Sequence, residues 1–167
     1  MPKSEPVNVV VETPAGSRNK YRFDESTGSF LLHKVLPLGF SFPFDFGFLP
    51  GTHAEDGDPI DVVLLGGEPT FTGCVVPARI LGVIEAEQRE SGKTIRNDRV
   101  IATAETAKIR PPWDDLGDVP GKLLDEVERF FVAYNEGEGR VFAPIGRRGT
   151  EAAWKSIEEA RKARGTS

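Results

Sequence analysis

Between Glu55 and Val63 the chain reads Glu-Asp-Gly-Asp-Pro-Ile-Asp-Val-Val. Asp56, Asp58 and Asp61 therefore fall at i, i+2 and i+5, where a loop runs into an apolar strand. Like charges crowded at such a point cost free energy unless a cation neutralises them. Gly57 permits an unusual backbone angle and Pro59 fixes φ, so the three side chains can be aimed and not merely exposed. Carboxylate oxygens are hard ligands and suit Mg2+ or Ca2+. The same residues also describe a plain polar turn ahead of a strand, and both readings stand at this point. An EF-hand does not fit. Its pattern needs Asp or Asn, Gly and Glu at places five, six and twelve, where Ile60, Asp61 and Gly67 stand.

A second run, Phe40-Ser41-Phe42-Pro43-Phe44-Asp45-Phe46-Gly47-Phe48, sets an aromatic at every second position. On a strand, that alternation puts all five on one face. They can build core or, with Asp45 buried and the acidic loop close by, wall a pocket. Three other features are decoys. Ser91-Gly92-Lys93-Thr94 has the ending of a phosphate-binding P-loop, but Glu87 stands where the first Gly belongs and no helix pattern follows. His33 and His53 lack metal-ligand spacing and read as surface or edge residues. Cys74 lies in an apolar run and reads as a small core residue.

The scaffold that must hold these groups is small. The 167 residues suit one domain, taken as 1–167, on a prior of roughly 100–200 residues. The balance of 21 Lys+Arg against 26 Asp+Glu, formally −5, argues against a general nucleic-acid binder. A single cysteine excludes an internal disulfide and any multi-cysteine metal site. No apolar run approaches the roughly 20 residues of a membrane span. The polar start, Met-Pro-Lys-Ser-Glu-Pro, has no hydrophobic region behind it. The expectation is a soluble, cytoplasmic protein with no membrane partner.

Strand signals fill the first two-thirds. Val7 to Thr13 is rich in β-branched residues and stops at Pro14-Ala15-Gly16. Lys20–Phe23 and Ser29–Val35 form a hairpin around a polar loop, and Ile60–Leu65 is a short apolar strand. Gly73–Glu87 is a long strand that pairs with Ile95–Thr103. Beyond Pro120 the period changes. Leu123, Val127, Phe130 and Tyr134 make a helical stripe that ends at Gly137 and Gly139, with Pro120 in the first turn. A second helix runs from about Thr150, with Ala153, Trp154, Ile157 and Ala160 on one side. Many short strands followed by helices indicate an α+β arrangement, a small barrel or sheet packed by helices.

In this order the residues resemble the soluble family I inorganic pyrophosphatases. The resemblance rests on Val11-Glu12-Thr13-Pro14-Ala15, Lys20-Tyr21, the hairpin Lys34 and Phe42-Pro43-Phe44-Asp45-Phe46-Gly47-Phe48. It also rests on an ungapped Asp-Gly-Asp-Pro-Ile-Asp-Val from Asp56 to Val62, and on Phe130-Phe131-Val132-Ala133-Tyr134. It covers about Val7 to Ala160. It implies an OB-like small closed β-barrel with two main flanking α-helices, and hydrolysis of pyrophosphate with several Mg2+ ions per site. By resemblance Asp56 and Asp61 bind activating metals, Asp58 is the base that takes the proton of the attacking water, and Glu12 lies in the outer part of the metal cluster. Lys20, Lys34 and Tyr134 grip phosphate, with Tyr134 also counted as catalytic and Phe46 and Arg22 in the substrate shell. A homo-oligomer, with a hexamer favoured, is the implied assembly.

The departures fall around the substrate. The family's two further acidic ligands after the long strand are best matched by Glu87 and Asp98, followed by Arg99, although Asn97 could take the place given to Asp98 and Glu85 or Glu90 that of Glu87. Family tyrosines become Phe42 and Phe46, an acid becomes Arg22, and a lysine becomes Asn135. Arg22, two residues from Lys20 on one strand, is the first candidate to compensate, ahead of Arg99, Arg96 and Arg140. Two rival readings remain: a hydrolase of another phosphoanhydride, and a non-catalytic barrel binding single-stranded nucleic acid on its aromatics. The acidic balance and the unbroken aspartate set speak against the second.

Overall fold

The computed structural model describes residues 5–106 and 111–165; the polar start, Met1 to Ser4, lies outside them. In chain order the strands are β1 (Val7–Thr13), β2 (Asn19–Asp24), β3 (Ser29–Val35), β4 (Asp45–Leu49), β5 (Ile60–Leu64), β6 (Val75–Glu90), β7 (Lys93–Arg96), β8 (Arg99–Ala104) and β9 (Val141–Gly149). Helix α1 (Gly121–Gly137) precedes β9 and α2 (Thr150–Gly165) follows it.

Five strands close on themselves. β1 runs antiparallel to β4, β4 to β5, β5 parallel to β8, β8 antiparallel to β6, and β6 back to β1 through Val9 and Val76. Closure removes the open edges that would otherwise invite other chains. The result is the small OB-like barrel with two flanking helices. β6 is long enough to leave the ring: it pairs with β9 from Gly82 to Arg89 along one edge and, past its last β8 partner at Ile84, with β7 from Glu87 to Glu90 along the other. β2 and β3 form the separate hairpin expected, around a turn from Asp24 to Gly28.

Both faces of the central strands are covered, so they read as continuous apolar runs and not as alternation. In β5 and β8, Val62, Val100 and Ala102 join one buried cluster with Ala153, Trp154, Ile157 and Ala160 of α2. Their neighbours Val63 and Ile101 join a second, with Phe42, Phe44, Phe46 and Leu124, Val127, Phe131 and Tyr134 of α1. Period two in the strands thus feeds two cores.

Several sequence expectations shift. Only Asp45–Leu49 of the aromatic segment is strand; Phe40, Phe42 and Phe44 precede it in a loop. Pro120 sits just before α1, at its cap, and not in the first turn; the buried stripe is Leu124, Val127, Phe131 and Tyr134, with Leu123 and Phe130 only partly buried. The strand expected over Ile95–Thr103 breaks at Asn97-Asp98 into β7 and β8. β9 was not expected, because Pro144, Gly146, Arg147 and Arg148 interrupt its pattern; its partner β6 makes it a strand. Ser91-Gly92 of the P-loop decoy is the β6–β7 turn, with φ of 51° and 77°, the left-handed angles that a tight hairpin needs.

Asp115 joins two elements. Its carboxylate accepts from Gly117 N in the short 3-10 turn Leu116–Asp118, and from the amide and hydroxyl of Thr150 at 2.9 and 2.7 Å, where α2 begins. Losing a cap of this kind costs about 2 kcal/mol. Asp115→Ala should therefore lower the melting temperature by roughly 4–8 °C, measured by thermal unfolding, with no loss of the native circular-dichroism spectrum at 25 °C.

Candidate active site

The acidic loop is built before it is charged. Thr52 Oγ1 accepts from Ile60 N at 2.9 Å and donates to Leu49 O at 2.6 Å, pinning the point where β5 begins. Gly57 takes φ +90°, an angle at which a side chain would be strained. The amide of Asp58 donates to Asp56 Oδ1 at 3.0 Å. Asp61 then stands in β5 opposite Phe48 of β4 and Arg99 of β8. Asp56, Asp58 and Asp61 open on a cavity of about 830 Å3 that Glu12, Lys20 and Arg22 also line. The segment's aromatics Phe42, Phe46 and Phe48 form part of its wall. Asp45 does not join them: it is buried and accepts from Ala15 N, Thr70 N and Thr70 Oγ1 at 2.6–3.0 Å, tying two loops to the start of β4.

The electrostatics show which charges lack company. Burial pushes the Asp61 carboxyl up to about 6, with Asp56 and Asp58 adding to the rise and Arg99 opposing it. Burial likewise raises Asp56. Glu12 is pushed up to about 7 by burial, although Phe23 N donates to it at 2.9 Å. Burial lowers Lys20 to about 8; its ammonium lies 5.1 Å from the centre of the Tyr134 ring. Arg22 Nη2 is 3.7 Å from Asp58 Oδ1, and both side chains are more than half exposed. Lys34 pairs with Glu138 and is not among the residues lining the cavity.

Of the two further acids expected as ligands, Glu87 and Asp98, neither lines this cavity. Asp98 accepts from Ala86 N at 3.0 Å and from Arg96 at 2.9–3.1 Å, and faces a neighbouring depression of about 590 Å3. Glu87 lies opposite Arg96 and Ala143 in the sheet. The side chains that do face the cavity are one residue away in each case, Asn97 and Gln88, and Asn97 Nδ2 donates to Gln88 Oε1 at 2.8 Å. Successive strand residues point to opposite faces, so a one-residue choice of phase exchanges a carboxylate for an amide. The two decoy histidines, His33 and His53, also line the cavity.

Arg140, one of the arginines the sequence offers to compensate for the altered substrate shell, stands between α1 and β9. Its Nε, the Nε of Arg99 and the hydroxyl of Tyr134 are buried without a protein partner, and all three residues line the cavity. Buried donors left unpaired cost roughly 1–3 kcal/mol each, which a ligand rich in acceptor oxygens would recover. Asn135 is buried and spends its amide on Phe131 O at 2.8 Å.

The donor chemistry fits a hard divalent cation on the Asp56, Asp58 and Asp61 side, since that wall offers carboxylate oxygens, and burial, with neighbouring carboxylates adding to it, raises Asp56 and Asp61. As they stand, no three His, Cys, Asp or Glu side chains among the described residues are gathered to hold an ion without adjustment.

The comparisons agree with one another. The sequence matches the inorganic pyrophosphatase family over residues 9–164. It is 35% identical over 158 residues to the inorganic pyrophosphatase of Synechocystis sp., covering 95% of this chain and 91% of that one. The crystal structure of the Thermus thermophilus inorganic pyrophosphatase superposes with a TM-score of 0.87 at 34% identity, over 96% of this chain and 92% of that one. That from Neisseria gonorrhoeae gives 0.87 at 29% identity, over 97% and 92%.

Proposed function

The chain belongs to the inorganic pyrophosphatase family and is an inorganic diphosphatase, and from that premise we infer how its own residues share the hydrolysis of pyrophosphate to two orthophosphates. One observation carries the assignment. A single cavity sets a carboxylate wall, Asp56, Asp58 and Asp61, against buried donors without partners on Arg99, Arg140 and Tyr134.

Asp56 and Asp61, with Glu12 behind them, would hold the divalent cation, taken to be Mg2+. Bound there, the ion supplies charge neutralisation and a water of lowered pKa. Glu87 and Asp98 lie outside the cavity and are left out of the ligand set. Asp58, at the exposed end of the wall, accepts the proton of the attacking water on a carboxylate oxygen; Arg22 steadies that carboxylate from 3.7 Å. Lys20, Tyr134 and the two arginines hold phosphoryl oxygens, the guanidiniums with charge-assisted bonds. Arg22, the first candidate to compensate for Asn135 on sequence, is thus assigned to Asp58, and the buried Arg99 and Arg140 take the compensating role. Phe46 contributes a ring under Arg99, at 5.7 Å, in place of a contact to substrate. Lys34, paired with Glu138, acts from the margin of the site.

The test is phosphate release from pyrophosphate with Mg2+ and with excess chelator, beside tripolyphosphate and ATP. The reading expects turnover of Mg-pyrophosphate, its loss in chelator, and much slower release from the other two. Full activity in chelator would overturn the metal assignment. The reading extends to a cytoplasmic protein and a closed homo-oligomer, a hexamer first; sedimentation at micromolar concentration would show a monomer if that is wrong. No described helix is long and apolar enough to cross a membrane.

A further inference from the structure

The cavity is unusual in how its charge is supplied. Five carboxylates and five Lys or Arg side chains line it, so protein cations already offset protein anions. Arg99 is the most firmly placed of these cations. It is 5% exposed; its Nη1 reaches Asp61 Oδ2 at 2.9 Å, Asn97 Oδ1 at 2.6 Å and Asn97 O at 3.2 Å. Its guanidinium lies over Phe131, Phe142 and Phe46 at 4.6, 5.1 and 5.7 Å from the ring centres. Asn97 is itself held by Gln88 at 2.8 Å. On this side of Asp61 the cavity therefore offers a fixed positive charge flanked by two neutral amides.

We propose that Arg99, clamped by the Gln88–Asn97 pair, is a built-in cation that takes the place of a divalent ion on this wall. The resting protein then loads one ion, on the Asp56 side of Asp61. Mg2+ demands six close oxygen ligands and favours carboxylates. An ion on the Arg99 side would find the Asn97 and Gln88 amides already bonded to each other, and Asn97 bonded to Arg99 as well. It would also have to part the guanidinium from Asp61 and strand it among three rings, which is strongly unfavourable for a buried charge. Arg99 engages Oδ2 of Asp61, and the carboxylate keeps a second oxygen for the ion opposite. Arg also stays protonated at every working pH, so this charge does not vary with the concentration of metal in solution.

The inference rests on the diphosphatase reading, and the experiment separates the two. Mn2+ bound per chain is counted by equilibrium dialysis on the full chain without substrate, with thermal melts confirming that each variant is folded. Wild type should bind one ion. Arg99→Gln should tighten the Mn2+ dissociation constant at least tenfold by releasing Asp61, although turnover falls; Arg99→Lys should leave the count and affinity near wild type. Should Arg99→Gln fail to fold, Arg99→Met decides the matter, because an unbranched apolar side chain suits the three rings and releases Asp61 in the same way. Two or more ions on wild type, or unchanged affinity in the folded Arg99 variant, would each overturn the inference while phosphate release from pyrophosphate persists. Wild type with neither bound Mn2+ nor phosphate release would overturn the diphosphatase reading and this inference with it.

Discussion

Asp61→Asn should lower kcat/KM for Mg-pyrophosphate about 1,000-fold, or roughly 4 kcal/mol at 1.36 kcal/mol per tenfold. The residue stands where three influences meet: burial and the charges of Asp56 and Asp58 raise its pKa to about 6, while Arg99 opposes them. Asn keeps the shape and removes the charge that would hold the cation, and it leaves the Arg99 guanidinium buried without its counter-ion at 2.9 Å. A stability loss should accompany the kinetic one, so the measurement pairs steady-state phosphate release with a thermal melt. Glu12→Gln is the contrast. Glu12 is pushed up to about 7 by burial and stands behind Asp56 and Asp61, so Gln gives up less there than Asn does at Asp61; its loss should lie at about 10–100-fold. Equal losses in the two variants would sink the ranking of Asp61 over Glu12.

The largest structural effect should come from a single methyl group. Gly47 in β4 lies opposite Val11 of β1. A Cβ there would run into the backbone carbonyl of Val10 and come within 2.9 Å of Val11 Cα. Backbone cannot swing aside as a side chain can, so β1 and β4 would have to part, breaking the ring at one seam. Gly47→Ala should cost roughly 4 kcal/mol or more, a large share of the 5–15 kcal/mol that holds a typical domain. The expected result is a melting temperature lowered by roughly 10 °C, or failure to accumulate as soluble protein. Gly121→Ala at the start of α1, where a Cβ meets nothing within 4 Å, is the control and should stay within about 1 kcal/mol of wild type. A Gly47→Ala protein with the wild-type melt would show that the β1–β4 spacing is looser than described.

What the sequence made legible was what is local. β1, β3 and α2 begin where β-branched runs, polar turns and the helical stripe put them, because those signals lie within a few residues of the element they define. Asp56, Asp58 and Asp61 were legible for the same reason, being one contiguous loop. The second half of the site was not, since Gln88 lies in β6 and Asn97 in the break between β7 and β8, and the fold of the β6–β7 hairpin brings them together. Nothing in Glu87-Gln88 or Asn97-Asp98 says which neighbour points inward. β9 escaped for a similar reason. Val141–Gly149 carries Pro and Gly and makes sense as a strand only beside β6, with a register shift where Pro144 meets Ala86.

The closed ring also sets a timetable for a growing chain. β1 is made first, yet one of its seams is with β6, so Val10 must wait for Val75, and the outer part of β6 must wait again until β9 emerges after α1. Ribosomes add about 5–20 residues per second, so β1 and β4 spend seconds as an unclosed ribbon with open edges. Pairings so distant along the chain are slow to find because the intervening loop must first give up its freedom. Catalytic competence comes late by the same logic: Glu12 and Lys20 have no Tyr134 or Arg140 to face until most of the polypeptide exists. A half-made chain is thus both inactive and sticky, and the helices that finally cover the barrel also mark the end of that exposure.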